Sequence, residues 1–222
     1  LVKDVVTKKL PAVTFGWRQV LMKIRESLKD RNLLLFLIAF YFLSDAILTL
    51  TTFFPIYFQQ VLGLSDSVKI IALTVSLVFM IVGAVVMGKM ADIFGSGKTF
   101  NFLSVAMMVS VAVFPLVAGL SFWVFLIPNG IFLGGFYAVS RVFLLRLAPA
   151  VKVGELFSLF TIFRRFASIV GPLLWGLSVL VFSSFGINKY RISVYPLVFL
   201  MIIGLWLLRK IKVTDIPGNS RG

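Results

Sequence analysis

Three charged side chains lie inside stretches that otherwise read as hydrocarbon: Asp45, Arg164 and Arg165. The arginines sit in the run from Gly154 to Gly176, GELFSLFTIFRRFASIVGPLLWG. Nothing charged follows them until Lys189, so 166–188 is a 23-residue uncharged run, long enough to cross a bilayer. An arginine near the bilayer interior costs at least ~2.5 kcal/mol on insertion scales and usually faces a watery cavity or a counter-charge. Asp45 stands about thirteen residues into its own span, ~20 Å deep at the helical rise per residue. Tyr41, Asp45, Thr49 and Thr52 share one face of that helix. Ser158, Thr161, Arg165 and Ser168 share a face of the other, as do Thr161, Arg164 and Ser168. Two polar stripes of opposite charge are expected to form facing walls of one cavity. There Asp45 would be a proton-linked or substrate-sensing carboxylate, and Arg164 or Arg165 would bind an anionic group or balance Asp45. The plainer alternative is a structural ion pair that fixes helix register.

Composition narrows the chemistry further. The 222 residues are 60% hydrophobic with mean hydropathy +1.06, whereas soluble domains run at roughly 45–50% apolar. Lipid must therefore be part of the solvent. There is no cysteine and no histidine, which removes thiol chemistry, the commonest general base and the commonest metal ligands. The eight acids are scattered along the chain, so neither an enzyme nor a metal or cofactor site is expected. The net charge of +14 would suggest nucleic acid in a soluble protein. Here the charges sort between apolar runs, which points to membrane topology and not to nucleic acid. Gly97-Lys98-Thr99 resembles a phosphate loop only faintly, without the spacing or the strand, so no nucleotide site is expected.

The elements that must hold these residues are six spans, an all-α membrane bundle. They are expected at about 32–59, 68–87, 99–118, 122–146, 155–182 and 191–208. The 42 uncharged residues from Thr99 to Ser140 are too many for one crossing and are split at Gly119–Ser121. Residues 1–31 form a cytoplasmic linker in which Trp17, Val20, Leu21, Ile24 and Leu28 recur at helical spacing, flanked by basic residues. They suit an amphipathic helix on an anionic membrane surface or against protein. Residues 32–209 are the bundle and 210–222 a basic tail. Pro128, Pro172 and Pro196 should each kink a span. Gly130, Gly134, Tyr137 and Arg141 share a face of span four, with Gly135 beside it. That face is expected to pack closely on another helix, with Tyr137 reaching the cavity as the lesser option. The 24 phenylalanines are expected mostly to face lipid.

Orientation follows from the basic residues. Of the 22 lysines and arginines, 17 fall on the side of the amino terminus and three on the other, so both termini should be cytoplasmic. The chain opens at Leu1 without a signal-peptide pattern, and its first 30 residues read as a mid-protein segment, so a longer parent is expected. An integral, multi-pass protein of the plasma membrane, or of the inner membrane in a bacterium, is the expected setting.

Two motifs carry a family resemblance. The segment 88–98, GKMADIFGSGK, is expected to be a loop. It resembles the signature loop of the major facilitator superfamily through Gly88, Asp92 and Gly95, with Phe94 and Lys98 in the aromatic and basic slots. Ile93, Ser96 and Gly97 depart from it, as in the weakened second copy of that motif. Glycines there permit a tight turn and close helix approach. The segment 140–176 is similar to the vacuole-effluxer-like branch, which includes autophagy-related amino-acid effluxers. The matches are Ser140, Arg141, Arg146, Leu147, Pro149, Glu155, Phe157, Arg165, Phe166, Gly171, Pro172, Leu173 and Gly176. FLIAFYFLSDAILTL resembles the branch's YFLxxDG pattern, with Asp45 in place and Ala46 for glycine.

The resemblance implies the carboxy-terminal six-helix half of a twelve-helix transporter, built from two inverted three-helix repeats. It implies secondary active transport of a small polar solute, amino-acid efflux among the options, by alternating access. The partners implied are membrane lipid and either the missing amino-terminal half or a second copy in a homodimer. The alternatives are a non-transporting membrane scaffold that works as an oligomer, and a lipid or lysolipid transporter whose arginines hold a phosphate headgroup.

Overall fold

A computed structural model describes residues 30–147 and 153–211. The amphipathic segment, Pro149, Lys152 and the basic tail beyond 211 lie outside the described residues. The fold is all-α. Its helices are α1 (Arg31–Gln60), α2 (Asp66–Phe94), α3 (Ser96–Val113), α4 (Leu120–Leu147), α5 (Val153–Phe166), α6 (Val170–Val181), α7 (Asn188–Ile192) and α8 (Tyr195–Leu208). Six stretches are long and apolar enough to cross a membrane: Arg31–Gln60, Asp66–Phe94, Ser96–Leu116, Ser121–Leu147, Leu156–Val181 and Asn188–Leu208.

Helix α1 starts where Asp30 caps it, accepting hydrogen bonds from the N–H groups of Asn32 at 2.9 Å and Leu33 at 3.3 Å. It runs through Pro55 and is the most enclosed span of the bundle. Its Phe36 and Phe40, one turn apart, are the hub of an aromatic core. Phe40 stacks on Phe160 at 4.3 Å and on Phe136 at 5.8 Å, and Phe36 meets Phe143 edge-on at 5.2 Å. The expectation that phenylalanine is mainly lipid-facing filler is therefore corrected: Phe36, Phe40, Phe58, Phe100, Phe122 and Phe136 are among those fully enclosed. In a bilayer, hydrophobicity does not sort inside from outside, since lipid is as apolar as the core. Ring shape and packing decide instead.

The tightest helix pair is α2 against α4. A Cβ at Gly134 would collide with the Met80 main chain, and one at Gly130 would come within 2.8 Å of the Ser76 carbonyl. The small-xxx-small spacing lets the two backbones touch, as the sequence led us to expect. The rest of α2 is open: Ile70, Ile71, Leu77, Val78, Ile81 and Val85 are all exposed.

Three boundaries differ from expectation. The segment 88–98 is helical except at Gly95, whose φ of +91° makes the sharp turn between α2 and α3. Gly88 and Asp92 are thus helix residues and not loop residues. Pro196 stands in the first turn of α8, where its missing N–H costs nothing, so it begins a helix and does not kink one. Pro172 does more than kink span five, as described next.

Candidate functional site

Span five is two helices. In a continuous helix the Pro172 ring would press on the carbonyl of Ser168 and leave it without its donor. Helix α5 ends at Phe166, and α6 begins at Val170. The Ser168 hydroxyl turns back to the Arg165 carbonyl at 2.8 Å. Arg164 and Arg165 therefore occupy the last turn of α5, where unpaired carbonyls make the helix end electronegative. At the other lip of the break, the Gly171 N–H is one of the free donors that begin α6. It donates to Oδ2 of Asp45 on α1 at 2.7 Å.

Asp45 is enclosed, at 0% exposure, as is Thr49 one turn on. Gly171 presses on both: a Cβ there would collide with the Thr49 hydroxyl and stand 3.0 Å from Oδ1 of Asp45. Oδ1 and the Thr49 hydroxyl have no hydrogen-bond partner among the described residues. Tyr41, one turn before Asp45, is half-buried with its ring edge-on to Phe42. Thr52 is exposed and bonds back to the Leu48 carbonyl at 2.7 Å.

The arginines point elsewhere. Both are exposed, and the Arg164 guanidinium lies over the half-buried ring of Tyr137 on α4, 5.3 Å from its centroid. Ser158 and Thr161, on the same exposed side of α5, bond back to the Gly154 and Phe157 carbonyls. Among the described residues the one ion pair is Lys69 with Asp66, at 2.6 Å, which clamps the start of α2. The expected pairing of Asp45 with Arg164 or Arg165 is not formed, and the two polar stripes do not face each other across one cavity. The physical reason is the break. Asp45 meets the first turn of α6, whereas the arginines end α5 and leave the bundle on its open side. Arg164 and Tyr137 are brought together; Asp45 and Thr49 form a separate, enclosed group, and Tyr41, one turn before them, is only half-buried.

Gly171 matches the family motif, but its residue type gives no hint of a bond to Asp45. Its signal was the Gly-Pro pair in mid-span, since glycine admits another helix and proline frees the donors beside it. A second missed feature is the column formed by Phe53, Trp175 and Tyr190. Phe53 stacks on Trp175 at 4.0 Å, and Trp175 on Tyr190 at 5.9 Å, joining α1, α6 and α7. A groove of about 390 Å³ between α3 and α4 is walled by Phe102, Val109, Phe125 and Phe132 and lies away from both polar groups. Among the described residues no three acids stand close enough to hold a metal ion.

Comparison with known proteins settles the kinship. The family described as vacuole effluxer Atg22 like matches residues 2–215. The chain belongs to the Atg22-like family. An MFS-type transporter of Bacillus subtilis, YxiO, is 31% identical to this Atg22-like chain over 192 residues, covering 86% of the chain and 42% of that protein. Autophagy-related protein 22 of Yarrowia lipolytica is 27% identical over 212 residues, 88% of the chain and 34% of that protein. Its counterpart in Saccharomyces cerevisiae is 25% identical over 177 residues. The chain thus spans between about a third and two fifths of the length of these relatives. Kinship and six apolar spans together place this Atg22-like chain among the integral, multi-pass membrane proteins of the major facilitator superfamily.

Proposed function

We propose that the chain is the carboxy-terminal half of a secondary transporter that moves a small polar solute by alternating access, with amino-acid efflux the first activity to examine. The observation that carries this reading is the open side of α5. Arg164 and Arg165 stand there roughly eleven or twelve residues along the helix, ~17 Å from its start, exposed and without an acid among the described residues. Guanidiniums at that depth need water, a counter-charge or a partner surface. A central pathway shared with a second six-helix unit would supply it. That unit is the missing amino-terminal half or a second copy of this chain. Arg164, stacked on Tyr137, and Arg165 are the groups we assign to an anionic part of the solute. Asp45, Tyr41 and Thr49 stand behind the break and act on the helices. Gly88, Asp92 and Gly95 would serve the contact between halves at the inner surface, since Asp92 is exposed at the end of α2.

The distribution of basic residues supports cytoplasmic termini, with residues 1–31 as linker and 210–222 as tail. A plasma membrane, or a bacterial inner membrane, is the proposed location. The test is flux of labelled amino acids and other small polar solutes into liposomes carrying the full-length parent. Saturable flux that falls at least tenfold in Arg164→Gln or Arg165→Gln is the expected result. Movement of labelled lysolipid in place of solute would transfer the arginines to a phosphate headgroup. Movement of neither would leave a scaffold.

A further inference from the structure

Both lips of the break in span five carry matching charge. The carbonyl end of α5 holds Arg164 and Arg165 in its last turn, and the amide end of α6 meets the carboxylate of Asp45. A helix terminus favours cations at its carbonyl end and anions at its amide end. The interruption at 167–169 is thus stabilised as an interruption, over and above the effect of Pro172. We propose that residues 167–169 are a hinge and that Asp45 is its positioning residue, holding α6 against α1 through the Gly171 N–H.

Three observations carry the proposal. First, the Asp45–Gly171 hydrogen bond joins residues 126 apart in the chain and is fully enclosed, so it fixes α6 to α1 at one point. Second, Gly171 touches the Thr49 hydroxyl and Asp45 so closely that no side chain fits between α6 and α1 there. Third, the contact is only half satisfied. Oδ1 of Asp45 and the Thr49 hydroxyl are enclosed without hydrogen-bond partners among the described residues. Partly satisfied buried polar groups hold less firmly than complete ones, which suits a contact that must part and re-form. Beyond the hinge, α6 carries Trp175, whose stack on Phe53 of α1 must open whenever α6 leaves α1. In the transport cycle proposed above, parting of α6 from α1 opens this side of the pathway, and docking closes it. That cycle rests on the transporter reading; the hinge itself does not.

Trp175 reports the motion. The chain has four tryptophans, and replacing Trp17, Trp123 and Trp206 by phenylalanine leaves Trp175 alone. The measurement is acrylamide quenching of Trp175 in the full chain in lipid nanodiscs, alongside helicity by circular dichroism. Asp45→Asn keeps an acceptor for the Gly171 N–H and should stay within about twofold of the parent. Asp45→Leu and Gly171→Ala should each raise quenching severalfold with helicity retained. Thr49→Ala, which removes the hydroxyl that the new methyl would strike, should restore docking in the Gly171→Ala background. Unchanged quenching in Asp45→Leu, or equal quenching in Asp45→Asn and Asp45→Leu, overturns the hinge. If Asp45→Leu fails to fold, the Gly171→Ala and Thr49→Ala pair decides: rescue supports the hinge, and its absence overturns it. Quenching needs no substrate, so an inactive full-length parent would defeat the transporter reading and leave the hinge standing.

Discussion

Gly134 of α4 lies so close to Met80 of α2 that a methyl group on Gly134 would overlap the Met80 main chain. Backbone cannot step aside as a side-chain tip can. Gly134→Ala should therefore lower stability by about 1–3 kcal/mol, the usual cost of overpacking. Gly88 is also helical, yet a Cβ there meets nothing within 4 Å. Gly88→Ala should raise stability by roughly 0.5–1 kcal/mol, because alanine loses less entropy than glycine in a helix. Thermal unfolding of the two variants in one detergent compares them directly. Equal effects would mean that α2 and α4 do not cross at this register.

The stack of Trp175 on Phe53 ties α6 to the central helix. Trp175 is 5% exposed, so Trp175→Ala opens a cavity that its neighbours fill only in part. A loss of about 3–5 kcal/mol is expected, as for other large aromatic truncations. Trp175→Phe, which keeps a stacking ring, should lose much less. Chemical denaturation followed by circular dichroism reads both.

Ser110 and Asn129 meet at 2.9 Å between α3 and α4, enclosed by apolar side chains. Ser110→Ala strands the Asn129 amide. In membranes such pairs are worth about 0.6–2 kcal/mol, and the variant should lose that amount. Adding Asn129→Leu should recover part of it, since replacing both partners leaves no polar group unpaired. A double variant as unstable as Ser110→Ala would show that the unpaired Asn129 amide is not the source of the loss.

Arg164 over Tyr137 couples the open side of α5 to α4. Cation–π attraction at a partly exposed site is worth about 0.5–1 kcal/mol. On the transporter reading proposed above, Tyr137→Leu should therefore weaken solute affinity by roughly two- to fivefold. Arg164→Gln removes the charge itself and should cost more. A KM titration in liposomes separates the two, and a larger effect from Tyr137→Leu would place the ring, not the guanidinium, against the solute.

Much of the architecture was readable in the sequence. Six spans followed from the lengths of uncharged runs, because a fixed hydrocarbon thickness demands a minimum number of apolar residues. Gly130 and Gly134 announced a close crossing by their spacing alone. Gly119 was correctly placed between spans three and four, where its φ is +57°. The segment 88–98 was misread as a loop, because small and charged residues mark the end of hydrocarbon and not the end of a helix. Helix α2 simply continues past the lipid until Gly95 turns it. The enclosed phenylalanines were misplaced because the usual rule, apolar inside, has no force where the outside is also apolar.

The charged residues divide the same way. That Asp45, Arg164 and Arg165 had to have a reason for lying at membrane depth was settled by sequence, since desolvating a charge is costly wherever the chain goes. Which reason applied was a matter of three dimensions. One proline interrupts span five between Phe166 and Val170, so neighbours along the chain part company. The Asp45 carboxylate then meets a free amide 126 residues away, while the arginines turn outward. Periodicity records the faces of a continuous helix; only the folded chain shows where the helix stops and what its freed backbone groups bind.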